Sequence, residues 1–178
     1  RIPTQIARDL SAEVGAVNLG VKAVAELAEQ YGVEQLRHIL HGLHEFSEQM
    51  FRARLREIPD GVYESADYIE YGYADDSVYR AFVRMTVAGD ELYFDFRGSS
   101  DSAPALLNCA RSGLVGGVMG PLIQQRATGI QFNAGVMRPL RIRSDKGSFI
   151  DSSFPTPIGL ATGYGASAGS DAAWGAAS

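Results

Sequence analysis

Apolar residues in the first third of the chain recur at helical spacing. Over residues 10–31 they follow one another at alternating steps of four and three, as on one face of an amphipathic helix. Gly32 stands where a left-handed C-cap would end this helix. A second apolar stripe covers residues 36–51, and its helix must end before Pro59. The short link predicts an antiparallel helical hairpin over residues 1–58.

The pattern changes to strands after the turn signal at residues 59–61. Apolar and polar positions alternate over residues 79–87, and again over residues 92–96. Gly89-Asp90 between them predicts a tight turn, so the two segments are expected to form a β-hairpin. Residues 62–73, which are rich in tyrosine, predict a neighbouring strand. The two faces of the last strand are expected to carry Leu92, Phe94 and Phe96 on one side, and Tyr93, Asp95 and Arg97 on the other.

Shorter elements are expected in the remainder of the chain. Residues 113–128 predict a helix whose glycines, Gly116, Gly117 and Gly120, would allow another backbone to approach closely. Residues 140–143 are strand-like, and residues 159–169 are expected to be a loop. Ser170-Asp171 predicts the N-cap of a final helix.

These elements together predict an α+β fold in two parts. The helical hairpin at residues 1–58 would precede an antiparallel β-sheet region with further short helices at residues 59–178. The chain begins at Arg1 without a methionine and stops at Ser178 in an alanine-rich stretch, so both parts are expected to belong to one larger subunit, truncated at both ends.

Composition excludes several classes of function. The net charge of −5 disfavours a nucleic-acid partner, which needs a dense basic surface. No apolar run approaches the roughly 20 residues of a membrane span, so no membrane partner is expected. The single cysteine, Cys109, allows no internal disulfide and fits a reducing compartment such as the cytoplasm.

Three motifs could suggest a metal site, a nucleophile or a phosphate-binding loop, but a structural role explains each of them more simply. The histidines His38, His41 and His44 spread over about 120° of a helix, which places them poorly for one metal ion and favours an exposed face. Cys109 has no neighbouring base to activate it and is expected to be a small buried residue at the start of a helix. The glycines after residue 112 lack the Gly-Lys-Ser/Thr ending of a P-loop, so helix packing explains them.

The strand that ends at Asp95 is followed by a group of polar residues. Asp95 and Arg97 share one face, where they could form either a structural ion pair or one wall of a site. Gly98 would let a substrate approach, and the hydroxyls of Ser99 and Ser100 would donate hydrogen bonds to it.

Two further candidates lie downstream. Asn108 follows the serines after a short interval. Arg138, fixed by Pro139 at the start of a strand, could hold a carboxylate or phosphate, or form a surface ion pair.

The order of these motifs resembles the hydantoinase B/oxoprolinase family. No single motif is specific, but together they run along nearly the whole chain. The matching residues are Asp9-Leu10-Ser11-Ala12-Glu13, Tyr31-Gly32, the basic helix end at residues 52–56 that leads to Ile58-Pro59-Asp60-Gly61-Val62-Tyr63, Asp95-Phe96-Arg97-Gly98-Ser99, Asn108, Asn133-Ala134-Gly135, Arg138-Pro139, Gly147-Ser148 and Pro155-Thr156-Pro157.

The resemblance implies part of an ATP-dependent enzyme that acts on a carbonyl within a hetero-oligomer. One branch of the family opens a cyclic amide such as a hydantoin, a lactam or 5-oxoproline, and the other carboxylates a ketone such as acetone or acetophenone. The implied partner is a hydantoinase A-type ATP-binding subunit, and the implied substrate is a small-molecule carbonyl compound. ATP and a divalent metal ion are both expected to bind outside this segment, because the family's metal-binding run (Asn-Asp-Pro followed by Gly-Gly-Thr-His and an Asp) is missing from this sequence.

Site residues follow from the same resemblance. Asp95, Arg97, Asn108 and Arg138 would be catalytic residues in a wall that orients the substrate, and Gly98, Ser99 and Ser100 would bind it. A metal held elsewhere would polarise or deliver the attacking oxygen. Two alternatives stay open: the ketone carboxylase, and a non-catalytic scaffold whose helical hairpin docks a partner subunit through the stripe at residues 10–31.

Overall fold

A computed structural model describes residues 2–70 and 76–178 of the chain. The described residues divide into two compact units, one ending at Glu45 and the other covering Phe46–Ser178. The division predicted after residue 58, into two parts of one larger subunit, stays a prediction. None of the helices in the described ranges combines the length and the apolar character that crossing a bilayer requires.

The two predicted N-terminal helices are confirmed. Helix α1 covers Pro3–Tyr31 and begins with proline at its first position, where a missing N–H costs nothing. Gly32 separates it from α2, Val33–Leu55, and its φ of +82° suits glycine, although its ψ of 146° lies outside the left-handed helical region expected of the cap.

The apolar stripe of α1 is exposed. The helix has no buried residue, and Val14 and Val17 expose 61% and 65% of their surface. Amphipathic spacing predicts a helix face, but it does not specify which surface covers that face.

Within the second unit, the end of α2 belongs to the core. Ser47, Phe51 and Leu55 are buried at a spacing of four residues, which places them on one side of the helix. The chain leaves the helix through a turn in which the Ile58 N–H donates to the Leu55 carbonyl, just before Pro59, which disfavours further helix.

The sheet contains four strands in the order in which they occur along the chain. Strand β1 is Gly61–Ile69, β2 is Tyr79–Ala88, β3 is Glu91–Asp95 and β4 is Leu140–Arg143. The predicted hairpin β2–β3 is confirmed, and Gly89 makes its turn with a φ of +62°. The tyrosine-rich strand is confirmed as β1, while its predicted end at residues 71–73 lies outside the described residues.

The predicted α+β fold is confirmed, although the sheet is mixed and not antiparallel throughout. Strand β2 is antiparallel to both β1 and β3, but β4 pairs with β3 in parallel, so the sheet is mixed. Parallel pairing requires a long crossover, and residues 96–139 provide one that carries two helices, α3 (Arg111–Gln125) and α4 (Ala134–Met137).

The final helix begins earlier than predicted. Helix α5 covers Gly165–Ala177, so Ser170 and Asp171 lie inside it, and the loop expected at residues 159–169 is partly helical. Two backbone hydrogen bonds fix the start of this helix. The Ala166 N–H donates to the Ala161 carbonyl in the preceding turn, and the Gly165 N–H donates to the carbonyl of Leu107, which is distant in sequence. Glycine and alanine supply no apolar periodicity from which this start could be read.

One hydrophobic core lies on the inner face of the sheet. Helix α5 packs on β1, β2 and α3. The buried side of β2 and β3 includes Val83, Met85, Leu92 and Phe94, which leaves the opposite face of the sheet for the polar side chains of the candidate site.

Candidate functional site

Asp95 ends β3 on the outer face of the sheet, as the alternation of the strand predicted. Its neighbours in register are Arg84 on β2 and Arg143 on β4. Because residues that face each other across two strands project to the same side, Asp95 stands between two arginines. Arg97 follows two residues later and is the third guanidinium around this carboxylate.

The carboxylate of Asp95 binds Arg97 through several hydrogen bonds. The Arg97 Nε donates to Asp95 Oδ1 at 2.8 Å and its Nη2 donates to Oδ2, while the backbone N–H of Arg97 also donates to Oδ1, at 3.1 Å. This pairing and, to a smaller extent, the charge of Arg143 hold the pKa of Asp95 below its ordinary value. Asp95 is therefore ionised near neutral pH and is placed to orient Arg97 rather than to donate a proton.

The turn after Asp95 closes onto β2. Gly98 has a φ of +86°, which favours glycine, and its N–H donates to Asp145 Oδ2 at 3.1 Å. The Ser99 hydroxyl accepts from the Phe82 N–H at 3.1 Å and donates to the Phe96 carbonyl at 2.7 Å. The Ser100 hydroxyl accepts from the Arg80 N–H at 2.9 Å. Both hydroxyls thus extend the pairing of β2 beyond the end of β3, and their predicted contact with substrate stays a prediction.

Two grooves meet at this edge of the sheet. The first, of about 440 Å³, lies over the outer face and is lined by Asp95, Tyr93 and three arginines. The second, of about 420 Å³, lies beyond the strand ends and includes Arg97 and Lys146. Arg143 lines both of them. The arginines of the first groove are Arg84, Arg141 and Arg143.

Asn108 is fully buried, and its amide is used by the backbone. Its Oδ1 accepts from the Ala103 N–H at 2.8 Å. Its Nδ2 donates to three carbonyl oxygens, those of Ala103 at 2.9 Å, Ala105 at 2.7 Å and Pro157 at 2.9 Å. The side chain therefore ties the loop at residues 103–105 to the loop that contains Pro157. Its predicted catalytic role stays a prediction, and these contacts supply a structural reason for the residue.

Arg138 lies at the other end of the β3–β4 pair from Asp95. It precedes Leu140, which pairs with Leu92, whereas Asp95 pairs with Arg143 three residues further along, or about 10 Å at the rise of a strand. Its Nη1 donates to Glu48 Oε2 at 2.8 Å. The fold thus brings Asp95, Arg97 and Gly98 together and places Arg138 apart from them.

Glu48 connects Arg138 to a wider ionic network at the end of α2. Its other oxygen accepts from Arg52 Nε at 2.9 Å, and Arg52 in turn binds Asp90 in the hairpin turn at 2.8 Å. Arg56 binds the second oxygen of Asp90 at 2.6 Å. The hydrogen bond from Arg138 is the largest cause that keeps the pKa of Glu48 below its ordinary value. The network ties α2, the β2–β3 turn and the start of β4 together.

The other sequence candidates have ordinary environments. Cys109 is buried two residues before α3, as predicted, and burial raises the pKa of its thiol to about 11, which keeps it protonated. His41 pairs with Glu45 at 3.2 Å on an exposed helix face. In residues 2–70 and 76–178, no three His, Cys, Asp or Glu side chains are grouped to hold a metal ion, so these residues do not fit the divalent metal that the resemblance implies.

Apart from Arg97, the cations of the two grooves were not selected from the sequence. Arg141 and Arg143 alternate with Leu140 and Ile142 on β4, and this alternation alone places both guanidiniums on one face of the strand. What the sequence could not supply is the parallel pairing that brings that face beside Asp95. Chemically, the assembled edge offers several N–H donors to a carbonyl oxygen or an anion and one ionised carboxylate that holds Arg97 in place.

Comparison with known protein families identifies the family of this chain. The chain is a member of the hydantoinase B/oxoprolinase family, whose family model matches residues 1–178. The resemblance found in the sequence motifs is thereby confirmed.

Individual relatives agree with this assignment. A protein of Pseudomonas sp. (strain NS671), provisionally named as the B component of a D-/L-hydantoinase, is 26% identical over 169 residues, covering 88% of this chain. The crystal structure of the ATP-dependent caprolactamase from Pseudomonas jessenii matches 95% of the chain with a TM-score of 0.85 and 24% identity. A nucleotide-free structure of acetone carboxylase matches 79% with a TM-score of 0.69 and 19% identity. At these identities the two structures establish a common fold.

The chain is short compared with these relatives. It spans 28% of the Pseudomonas sp. protein, 29% of the caprolactamase chain and 20% of the acetone carboxylase chain.

Proposed function

We propose that this chain is part of the B-type subunit of an ATP-dependent enzyme that opens cyclic amides such as hydantoins, lactams or 5-oxoproline. The observation that carries the proposal is the family membership over the whole chain, together with relatives whose names refer to hydantoin and caprolactam. The complete enzyme would act in the cytoplasm with a hydantoinase A-type ATP-binding subunit. ATP and a divalent metal would bind outside the residues described here.

In this proposal the end of β3 forms one wall of the reaction site. Ionised Asp95 holds Arg97, and the N–H groups of Arg97 and Arg143 donate to the oxygen of the activated carbonyl. Gly98 leaves the approach to this edge open, since a Cβ there would meet only a side-chain nitrogen of Arg80 at 4.0 Å.

The remaining candidate residues would support the fold around this wall without contacting the reacting carbonyl. The hydroxyls of Ser99 and Ser100 and the amide of Asn108 fix the loops that carry the wall, through the backbone hydrogen bonds described above. Arg138 lies apart from this wall, and its ion pair with Glu48 would fix the start of β4 against the end of α2.

The direct test is an assay of the complete complex with ATP, in which phosphate release is followed with hydantoins, lactams and 5-oxoproline, and separately with ketones plus bicarbonate. We expect stimulation by a cyclic amide without bicarbonate. Stimulation by a ketone only when bicarbonate is present would contradict the proposal and establish the carboxylase alternative, which the fold of acetone carboxylase keeps open.

The role of the wall has its own expected result. Asp95→Asn should lower kcat/KM about tenfold, because it removes the charge that holds Arg97 and charged hydrogen bonds contribute about 1.5–3 kcal/mol. The control is Glu57→Gln, which breaks the exposed pair that Glu57 forms with Arg54 at 3.4 Å and should leave turnover unchanged. Equal turnover of Asp95→Asn and the unmodified complex would make the Asp95–Arg97 pair structural only.

The exposed stripe of α1 favours a second function for this segment, that of docking the ATP-binding partner. The large apolar residues of the stripe, from Leu10 to Tyr31, expose between 49% and 65% of their surface, and an exposed apolar face of this kind is typical of a protein contact. Hydrogen exchange of the full-length subunit should then show protection at residues 3–31 only when the partner is added. Protection already complete in the isolated subunit would mean that the rest of the same subunit covers α1.

A further inference from the structure

The second groove, at the end of β4, is lined by four cationic side chains. Arg97, Arg111, Arg143 and Lys146 all border this space of about 420 Å³, and among the described residues that line it Asp151 is the one carboxylate. Such a ratio of cations to carboxylates is unusual in a chain whose net charge is −5. The groove is therefore a local concentration of positive charge on an acidic protein.

The nearby carboxylates neutralise only part of this charge. Asp151 lies 3.6 Å from Arg111 and also accepts from the Ser144 hydroxyl at 2.5 Å. Asp95 forms its ion pair with Arg97. Asp145 accepts from the Gly98 N–H and adds its charge to the environment of Arg97.

Two cations of the groove have no ion-pair partner in the described part of the chain. Throughout residues 2–70 and 76–178, no carboxylate oxygen lies within 4 Å of the Arg143 guanidinium or the Lys146 ammonium, and neither group donates a hydrogen bond. Both side chains are exposed. They remain available to a ligand that enters the groove.

The backbone around these two residues is held firmly. The carbonyl of Arg143 accepts from the Phe96 N–H at 2.8 Å, and the Gly147 carbonyl accepts from the Ser102 N–H at 2.8 Å. Arg111 donates to the Ile142 carbonyl and to Ser144 from the far side of the groove. The cations are thus presented from fixed positions, which lowers the ordering cost of binding a ligand.

We propose that this groove binds a tetrahedral oxyanion, a phosphate or the phosphoryl group of a small molecule, with Arg143 and Lys146 as its main ligands and Arg97 as a third. A planar guanidinium suits bidentate binding of such a group, and the ammonium supplies a second charge. A phosphate carries about −1.5 to −2 charges at pH 7, which matches the charges of Arg143 and Lys146 better than a carboxylate does. The site is inferred from the positions of these cations and does not depend on the proposed ring opening.

The test is calorimetric titration of the full-length subunit, without its ATP-binding partner, at constant ionic strength. The probes are inorganic phosphate, phenyl phosphate as a phosphomonoester, and acetate. We expect both phosphates to bind and acetate to bind several-fold more weakly; the tighter of the two phosphates then identifies free phosphate or an attached phosphoryl group as the natural source. Acetate binding as tight as phosphate would overturn the assignment of a tetrahedral dianion.

Variants locate the binding. Arg143→Gln should weaken phosphate binding about tenfold, as expected for the loss of a charge-assisted pair, and Lys146→Gln should weaken it by a smaller factor. Arg37→Gln, on an exposed face of α2, is the matched control and should leave affinity unchanged. Because Arg143 and Lys146 are exposed, their variants should keep the thermal stability of the unmodified subunit. An affinity unchanged in the double variant, or no phosphate binding at millimolar concentration, would overturn the proposal.

Discussion

Replacing Asn108 by alanine is expected to lower the free energy of unfolding by about 3 kcal/mol. The substitution removes all the hydrogen bonds of one buried amide and leaves the N–H of Ala103 and up to three carbonyl oxygens without a partner. An unpaired buried polar group costs about 1–3 kcal/mol, and water that enters the cavity recovers part of the loss. Hydrogen exchange of the full-length subunit should show the loss as faster exchange in peptides that cover residues 103–109 and 153–158.

Asn108→Asp sharpens this prediction because it keeps the shape of the side chain. The new carboxylate would retain the acceptor for the Ala103 N–H but would face the carbonyl oxygens of Ala105 and Pro157 with no hydrogen to donate at neutral pH. We expect a loss at least as large as for alanine. Asn18→Ala on the exposed face of α1 is the control and should change stability by less than about 0.5 kcal/mol. Exchange at residues 103–109 that is equal in Asn108→Ala and in the unmodified subunit would show that the amide contributes nothing to holding the loops.

The same residue illustrates what the sequence could not provide. Asn108 was selected from the sequence as a catalytic candidate, which stays a prediction. Its hydrogen-bond partners include backbone groups five and 49 residues away, and no local pattern encodes them. The hairpin of β2 and β3 was predictable because its alternation and its Gly89-Asp90 turn are both local. The parallel pairing of β4 was not, since it depends on how residues 96–139 return to the sheet.

The candidate site likewise contains residues placed by local sequence and residues placed by the crossover. The sequence predicted that Asp95 and Arg97 would lie together, and Arg97 does bind Asp95, from the turn that follows β3. Arg143 and Lys146 join them only through the crossover, so these two cations of the second groove were found in the structure. Arg138 was expected in the same wall, but its register with the start of β3 places it at the opposite end of the strand pair.

The glycines of α3 differ in how much space surrounds them, which the residue type alone does not show. The sequence predicted that Gly116, Gly117 and Gly120 would all allow close approach. A Cβ on Gly117 would lie 2.6 Å from the Ala166 carbonyl oxygen at the start of α5, whereas a Cβ on Gly116 or Gly120 would meet nothing within 4 Å. Only Gly117 of these three is needed for the contact between α3 and α5.

Gly117→Ala is therefore expected to lower the free energy of unfolding by about 2 kcal/mol. The added methyl would overlap a backbone oxygen, which cannot rotate away, so α5 must shift from α3 at an overpacking cost of about 1–3 kcal/mol that outweighs the better helix propensity of alanine. Gly116→Ala, one residue earlier on the same helix, should gain about 0.5–1 kcal/mol because its new methyl group has open space. Hydrogen exchange of peptides from residues 111–125 and 165–177 is the measurement. Lower protection in Gly117→Ala together with higher protection in Gly116→Ala would establish that backbone contact at Gly117 holds the two helices together. Equal stabilisation by both substitutions would contradict that contact, since it requires that α5 can move from α3 without loss.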